Sequence, residues 1–207
     1  MNGFILPTQL PAIVLPRCTL LPHGLIPLHI FEDRYRKMLR YSLERERMFC
    51  VVMQRGTGTP DAGDDNRQGT AMVATAGLVR ACVRNPDGSS NLLLQGIQRA
   101  RLIRWIEPSV FPLAEVEWLP TTTRKPETCI KISAGLVDLA CHLAEIHGNL
   151  CTQLRDYLRG MPDPETITDI VAYNFIRCPE RLQQLVECRI LDDRIALVKA
   201  ELDKLAG

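Results

Sequence analysis

The spacing of apolar residues changes period near residue 120, and this restricts the fold more than any other feature of the sequence. Upstream, apolar residues come as short runs and alternations punctuated by Gly and Pro. Downstream they recur every three or four residues to the end of the chain. Alternation places side chains on the two faces of a strand, and the longer spacing builds one stripe on a helix. A chain that separates the two patterns separates its sheet from its helices, which is the α+β arrangement. The expected domains are a β-rich one over 1–120 and a helical bundle over 121–207, with TTTRKPE (121–127) as the hinge.

Within the first part, Ala12 to Leu15 and FCVVMQ (49–54) read as buried strands. A helix is expected from Phe31 to Arg45, with Phe31, Tyr35, Met38 and Leu43 on one face. RGTGTPDAGDDNRQG (55–69) has turn chemistry throughout and reads as a long loop. Residues 70–84 and 91–106 flank NPDGSS, where Pro86 suits the first central position of a turn and Gly88 the positive φ that follows. Val79, Ala81 and Val83 alternate with Arg80, Cys82 and Arg84, which predicts one apolar and one wet face. The second arm, NLLLQGIQRARLIRWIE, is too long for one flat strand, and Gly96 marks a bend or bulge. LAEVEWLP (113–120) alternates and closes the β section.

In the second part, Ile132, Leu136, Leu139, Leu143 and Ile146 form a helical stripe that Gly148 ends. Leu150, Leu154, Tyr157 and Met161 continue the spacing in a second helix. In MPDPE, Asp163 can cap, Pro164 fits the first turn and Glu165 favours the helix dipole. That helix ends near Arg177, Cys178-Pro179 opens another, and Asp192 can cap the last, whose stripe is Ile195, Val198, Leu202 and Leu205. The sum is a small bundle of four or five helices.

Composition excludes several classes of protein. Apolar residues at 46% with 24% charged describe a chain that folds rather than one that stays disordered. No apolar stretch approaches the ~18 residues of a membrane span. MNGFILPTQLP lacks the basic and apolar regions of a secretory leader, so the chain reads as cytoplasmic. The eight cysteines contain no C-x-x-C pair and read as reduced, mostly buried thiols. Residues 1–125 hold 16 Lys and Arg against 11 Asp and Glu, whereas residues 126–207 hold 9 against 13. Opposite charge on the two parts favours mutual attraction over a basic surface meant for a polyanion.

Enzyme signatures are missing. There is no glycine loop of the phosphate-cradling kind and no G-x-S-x-G elbow, and the serines lack an activating partner in sequence. In CHLAEIHGNLC (141–151), His147 and Cys151 would share a face of a continuous helix, and His142 and Glu145, three apart, could also be neighbours, but Gly148 interrupts the helix and H-E-x-x-H is absent. No catalytic residue, metal ligand or cofactor is assigned. A thiol hydrolase pairing one cysteine with His142 or His147 is the enzymatic alternative. Arg80, Arg84, Arg99, Arg101 and Arg104 crowd one β segment, with only Asp87 opposing them. Arg80, Arg84, Arg99 and Arg101 are therefore the candidates for an anion- or RNA-binding surface, although only Trp105 is nearby to stack on a base.

The stretch LPAIVLPRCTLLPHGLIPLHIFEDRYRKML carries a resemblance. Leu10-Pro11, Leu15-Pro16, Pro22, Gly24, Ile26-Pro27-Leu28 and Ile30-Phe31-Glu32-Asp33-Arg34-Tyr35 resemble the opening of the amino-terminal domain of Lon-type ATP-dependent proteases. QGTAMVA, LLLQGIQRARLIRWIE and LQQLVECRILDDRIALVKAELDKL resemble later segments of the same domain, and PHG stands where many relatives have PG or PGG. The resemblance implies a PUA-like β-barrel with one packed helix, followed by the helical bundle. The prolines, which fix φ and lack a donor, then steer the chain between barrel elements.

Full-length Lon continues into an AAA+ ATPase module and a Ser–Lys protease domain, whereas this sequence ends at Gly207. The resemblance thus implies a non-enzymatic recognition module for unfolded or hydrophobic polypeptide, with neither ATP hydrolysis nor peptide cleavage. An RNA- or anion-binding module is the alternative. No membrane partner is expected, and the oligomeric state is open. Leu20, Leu21 and His23 precede a turn and are the expected peptide contacts, on the reading that they are exposed.

Overall fold

The computed structural model describes residues 6–55, 69–146, 156–161 and 163–206. The chain divides into two compact units, Met1–Leu119 and Pro120–Gly207. The first holds β1 (Gln9–Pro16), β2 (Leu25–Ile30), α1 (Asp33–Leu43), β3 (Met48–Gln54), β4 (Val73–Arg84), β5 (Ser90–Trp105) and β6 (Leu113–Leu119). The second holds α2 (Pro126–Ile146), α3 (Pro164–Phe175), α4 (Pro179–Glu187) and α5 (Leu191–Ala206), with residues 156–159 also helical. The α+β expectation holds.

The strands run in the order β2-β5-β4-β3-β1-β6, and β6 also pairs with β5. The pairing closes β1, β3, β4, β5 and β6 into a ring, with β2 as an outlying strand. Strand β5 makes this possible by serving two neighbours on the same edge. Its first half, Ser90 to Gln95, pairs with β2, and its second half, Arg99 to Trp105, pairs with β6. The bend expected at Gly96 is a register shift: Ala76 faces Gln98 while Gly77 faces Gly96, leaving Ile97 extra. The ring is narrow, and its interior is filled by Ala12, Ala74, Ala76, Ala100 and Ala114 between Leu10, Val14, Met48, Val52 and Leu102.

The hairpin turn forms as its residues dictate. Gly88 takes φ +84° and donates to the Asn85 carbonyl at 3.0 Å. The Asp87 carboxylate accepts from the Ser89 amide and hydroxyl, which holds its pKa below the usual range, the hydroxyl contributing most. The alternation expected in β4 does not persist. Val79 faces Leu94 and Ala81 faces Leu93, so Arg80 is an inserted residue and the parity flips behind it. Val79 is buried, whereas Val83 is 64% exposed.

Helix α1 is shorter than expected and rotated. It begins at Asp33 and buries Tyr35, Met38, Leu39 and Ser42. Phe31 lies ahead of the helix and is 62% exposed, and Leu43 is half-buried. Tyr35 completes an edge that the sheet leaves open. Strand β6 covers β1 only from Gln9 to Pro11. Beyond it, the Val14 amide donates to Tyr35 Oη at 3.3 Å and that hydroxyl donates to the Val14 carbonyl at 3.2 Å. Replacing Tyr35 by phenylalanine strands two buried backbone groups, so a loss of about 1–3 kcal/mol is expected. The denaturant midpoint should fall with an unchanged slope. A loss under about 0.5 kcal/mol would mean that the hydroxyl contributes nothing there.

In the second unit, α2 buries Cys129, Ser133, Leu136, Val137, Ala140 and Leu143, while Ile132 is exposed and Leu139 half-buried. Leu136 and Leu143 of the expected stripe are buried, but Ser133 and Ala140 take the inward positions expected of Ile132 and Leu139. Gly148, Leu150 and Leu154 lie outside the described residues. Tyr157, expected in the buried stripe, is exposed, and its neighbour Leu158 is buried instead. The Asp163 cap is present, accepting from Glu165 N at 3.3 Å and Thr166 N at 2.9 Å. Leu205, expected in the stripe of α5, is exposed, while Ile195, Val198 and Leu202 are buried.

Asp192 is not a cap. It lies inside the first turn of α5 and accepts from Arg124 N at 2.8 Å and Thr123 Oγ1 at 3.1 Å, and the first of these chiefly lowers its pKa. Arg124 also grips Asp193 with both guanidinium arms, at 2.9 and 3.0 Å. The expected hinge TTTR is therefore fastened to the second unit. Among the described residues no helix is long and apolar enough to cross a membrane.

Candidate functional site

The segment from Leu15 to Ile30 answers to its prolines. Leu20 and Leu21 are fully buried, contrary to the exposure expected of them. They turn inward because the chain folds back over Gly96 immediately afterwards. Gly24 N donates to Leu21 O at 3.1 Å, closing a turn with Pro22 at its second position and His23 at its third. His23 adopts φ +64°, the left-handed backbone that a type II turn requires there. His23 N then donates to Gly96 O, and Gly96 N to Gly24 O, both at 2.9 Å. This pair of bonds starts the β2–β5 ladder and fixes its register.

The register decides what β2 presents to solvent. Pro27, Leu93 and Ala81 align across β2, β5 and β4, and His29, Asn91 and Val83 form the next row. Leu25 stands opposite Gln95 in the preceding row. These residues share one face of the three strands, and that face is open: Leu25 is 46% exposed and Leu93 36%. Phe31 extends the surface, its ring stacked on His29 with centroids 5.8 Å apart. Among the described residues β2 has a strand partner on one side only, which is why it tolerates Pro27. An apolar face next to an open strand edge offers what an extended, unfolded segment can use. The edge provides backbone pairing, and the face provides contact for alternate side chains. The sequence signalled this in LIPLHI, where apolar residues occupy both parities of a single strand.

The arginine candidates do not converge. Arg99 is 1% exposed, inside the fold. Arg101 and Arg104 pair across the ladder with Glu117 at 3.0 Å and Glu115 at 2.7 Å. Arg80 donates to Gln95 Oε1 at 2.5 Å. Arg84, at the end of β4, turns toward α1. The cluster had seemed unopposed because its glutamates come from β6, distant in sequence.

Two of the described thiols, Cys18 and Cys50, are unsuited to nucleophilic chemistry. Burial pushes the Cys50 pKa up to about 12 and raises that of Cys18, the opposite of what an activated thiolate requires. Cys141 is buried and His142 exposed, while His147 and Cys151 lie outside the described residues.

Comparison with known proteins agrees with this architecture. Residues 9–204 match the model of the ATP-dependent protease La (LON) substrate-binding domain. The chain belongs to the Lon substrate-binding domain family. A Lon protease of Desulfovibrio desulfuricans is 24% identical over 200 residues, which are 96% of this chain and 22% of that relative. This Lon-type chain thus spans about a fifth of the relative's length. The fold is that of the N-terminal domain of Mycobacterium avium complex Lon protease, at TM-score 0.74 and 15% identity, covering 94% of this chain and 98% of that one. The Lon N-terminal domain protein from Xanthomonas campestris aligns over the same shares at TM-score 0.62 and 22% identity.

Proposed function

We propose that this Lon-type domain captures extended, apolar segments of non-native polypeptide on the outer face of β2, β5 and β4, without acting on them chemically. The observation that carries the reading is the exposed face of Leu25, Pro27, Leu93, Ala81 and Val83 beside the edge of β2 that no described strand covers. The family description, a substrate-binding domain of a protease, is the second support. Of the three residues first considered, His23 alone has a partly accessible side chain, and Leu20 and Leu21 act by anchoring the start of β2.

The test is binding of a permanently unfolded, carboxymethylated polypeptide to the parent protein and to a Leu25→Asp/Leu93→Asp variant. Each leucine that meets the ligand contributes on the order of 1.5–3 kcal/mol, so the variant should bind at least about tenfold more weakly. Leu197→Asp, on exposed surface of α5, should change nothing. Affinity should be almost indifferent to moderate salt. Equal binding by parent and variant, or a steep loss with salt, would remove the apolar face from the function.

A further inference from the structure

On the opposite side of the β4–β5 hairpin, α1 and the strands enclose a groove of about 670 Å³. Its lining includes Arg36 and Arg40 from α1, Arg47 just beyond it and Arg84 at the end of β4. The two carboxylates of the lining, Asp33 and Glu44, do not balance these charges. Asp33 is already held by Lys37 at 2.6 Å, with Arg36 at 3.6 Å, and Lys37 chiefly lowers its pKa. Arg47 spends its Nε and Nη2 on the Val79 carbonyl, both at 3.3 Å, a neutral acceptor that leaves its charge uncompensated. Arg40 and Arg84 carry no ion pair among the described residues.

Arg36 reaches the hairpin turn, its Nη1 3.0 Å from where a Cβ on Gly88 would stand. The apolar part of the lining is the half-buried Leu43 and Cys82, with the buried Leu39 beneath. Among the described residues the lining has no aromatic ring on which a base could stack.

We infer that this groove is a second binding site, for short polypeptide segments in which carboxylates alternate with aliphatic side chains. Arginine holds carboxylates in fork geometry, and the half-buried Leu43 and Cys82 offer apolar contact to the intervening side chains. The site uses the face of β4 opposite to Ala81 and Val83, so it stands or falls separately from the apolar surface proposed above.

The experiment uses fluorescence anisotropy with a labelled peptide of alternating Glu and Leu. Its Gln-for-Glu counterpart and a single-stranded oligonucleotide of similar length serve as comparisons. The expected result is binding of the Glu peptide that weakens with added salt, with the Gln peptide at least about tenfold weaker. An Arg40→Glu/Arg84→Glu variant should lose at least about tenfold for the Glu peptide. It should keep the parent's melting temperature and its affinity for carboxymethylated polypeptide, because both side chains are exposed and off the apolar face. Leu25→Asp/Leu93→Asp should bind the Glu peptide as the parent does. No binding of the Glu peptide, equal binding of the Gln peptide, an unaffected charge-reversal variant, or stronger binding of the oligonucleotide would each overturn the inference.

Discussion

Arg194→Ala is expected to destabilise the helical unit by roughly 3–5 kcal/mol, the cost of breaking a buried ion pair from one side. Arg194 is 0% exposed in α5. Its Nη2 donates to Glu165 Oε1 at 3.1 Å and to Thr121 Oγ1 at 3.2 Å, and its Nη1 lies 3.6 Å from Asp169 Oδ1. Thr121 also donates to Glu165 Oε1. One guanidinium therefore ties the entry segment, the first turns of α3 and the start of α5. Without it, Asp169 remains buried and loses its cation.

The network is itself imperfect: Arg194 Nε and Nη1 have no hydrogen-bond acceptor. A double variant, Arg194→Leu/Asp169→Leu, removes both charges and should recover much of the loss. The readout is chemical denaturation followed by the helical circular-dichroism signal. A single variant that loses less than about 1 kcal/mol, or a double variant no better than the single, would show that the charges are not energetically coupled.

Gly96→Ala is expected to cost roughly 3 kcal/mol or more and to weaken capture of unfolded polypeptide as well. An added Cβ would stand 2.1 Å from Leu21 O and 2.9 Å from Leu21 C. Both are backbone atoms, so no side-chain rotation relieves the clash. The crossover must lift, which breaks the two 2.9 Å bonds to His23 and Gly24 and exposes part of Leu20 and Leu21. Because that contact fixes the register of β2, the row containing Leu25 and Pro27 should lose its alignment too.

The same substitution at Gly135 should have the opposite sign. That residue lies within α2 with nothing within 4 Å of its would-be Cβ, so alanine should stabilise by about 0.5–1 kcal/mol. Thermal melts of the two variants, read together with polypeptide binding, check both expectations. A Gly96→Ala protein that melts with the parent would mean the crossover does not rest on β5.

The success of local reading followed the range of the interactions concerned. The hairpin turn at Gly88 and the cap at Asp163 are set by groups a few residues apart, and both are legible in the sequence; at Gly96 the residue type marks the irregularity, although its partners, Gly77 and Leu21, are distant. The phase of a buried face depends on more distant neighbours. Phe31 was placed on the buried face of α1, but the helix starts two residues later and leaves the ring outside. Ile132 was placed inward on α2, where Ser133 and Ala140 pack instead. The apolar surface escaped notice because Leu93 and Val83 become neighbours only through the bulge at Arg80.

What the sequence by itself determined is the order and kind of the elements: strands with one helix among them, then helices. Backbone preferences and apolar period act over one or two turns, so they are written locally. Only the tertiary structure decided which charges are spent and which remain available. Arg99 and Arg194 vanish into the interior, Arg101 and Arg104 meet glutamates from β6, and Arg40 and Arg84 stay exposed along the groove beside α1. The physical reason is that the worth of a charge depends on its burial and its partner, and both are supplied by chain segments far away in sequence.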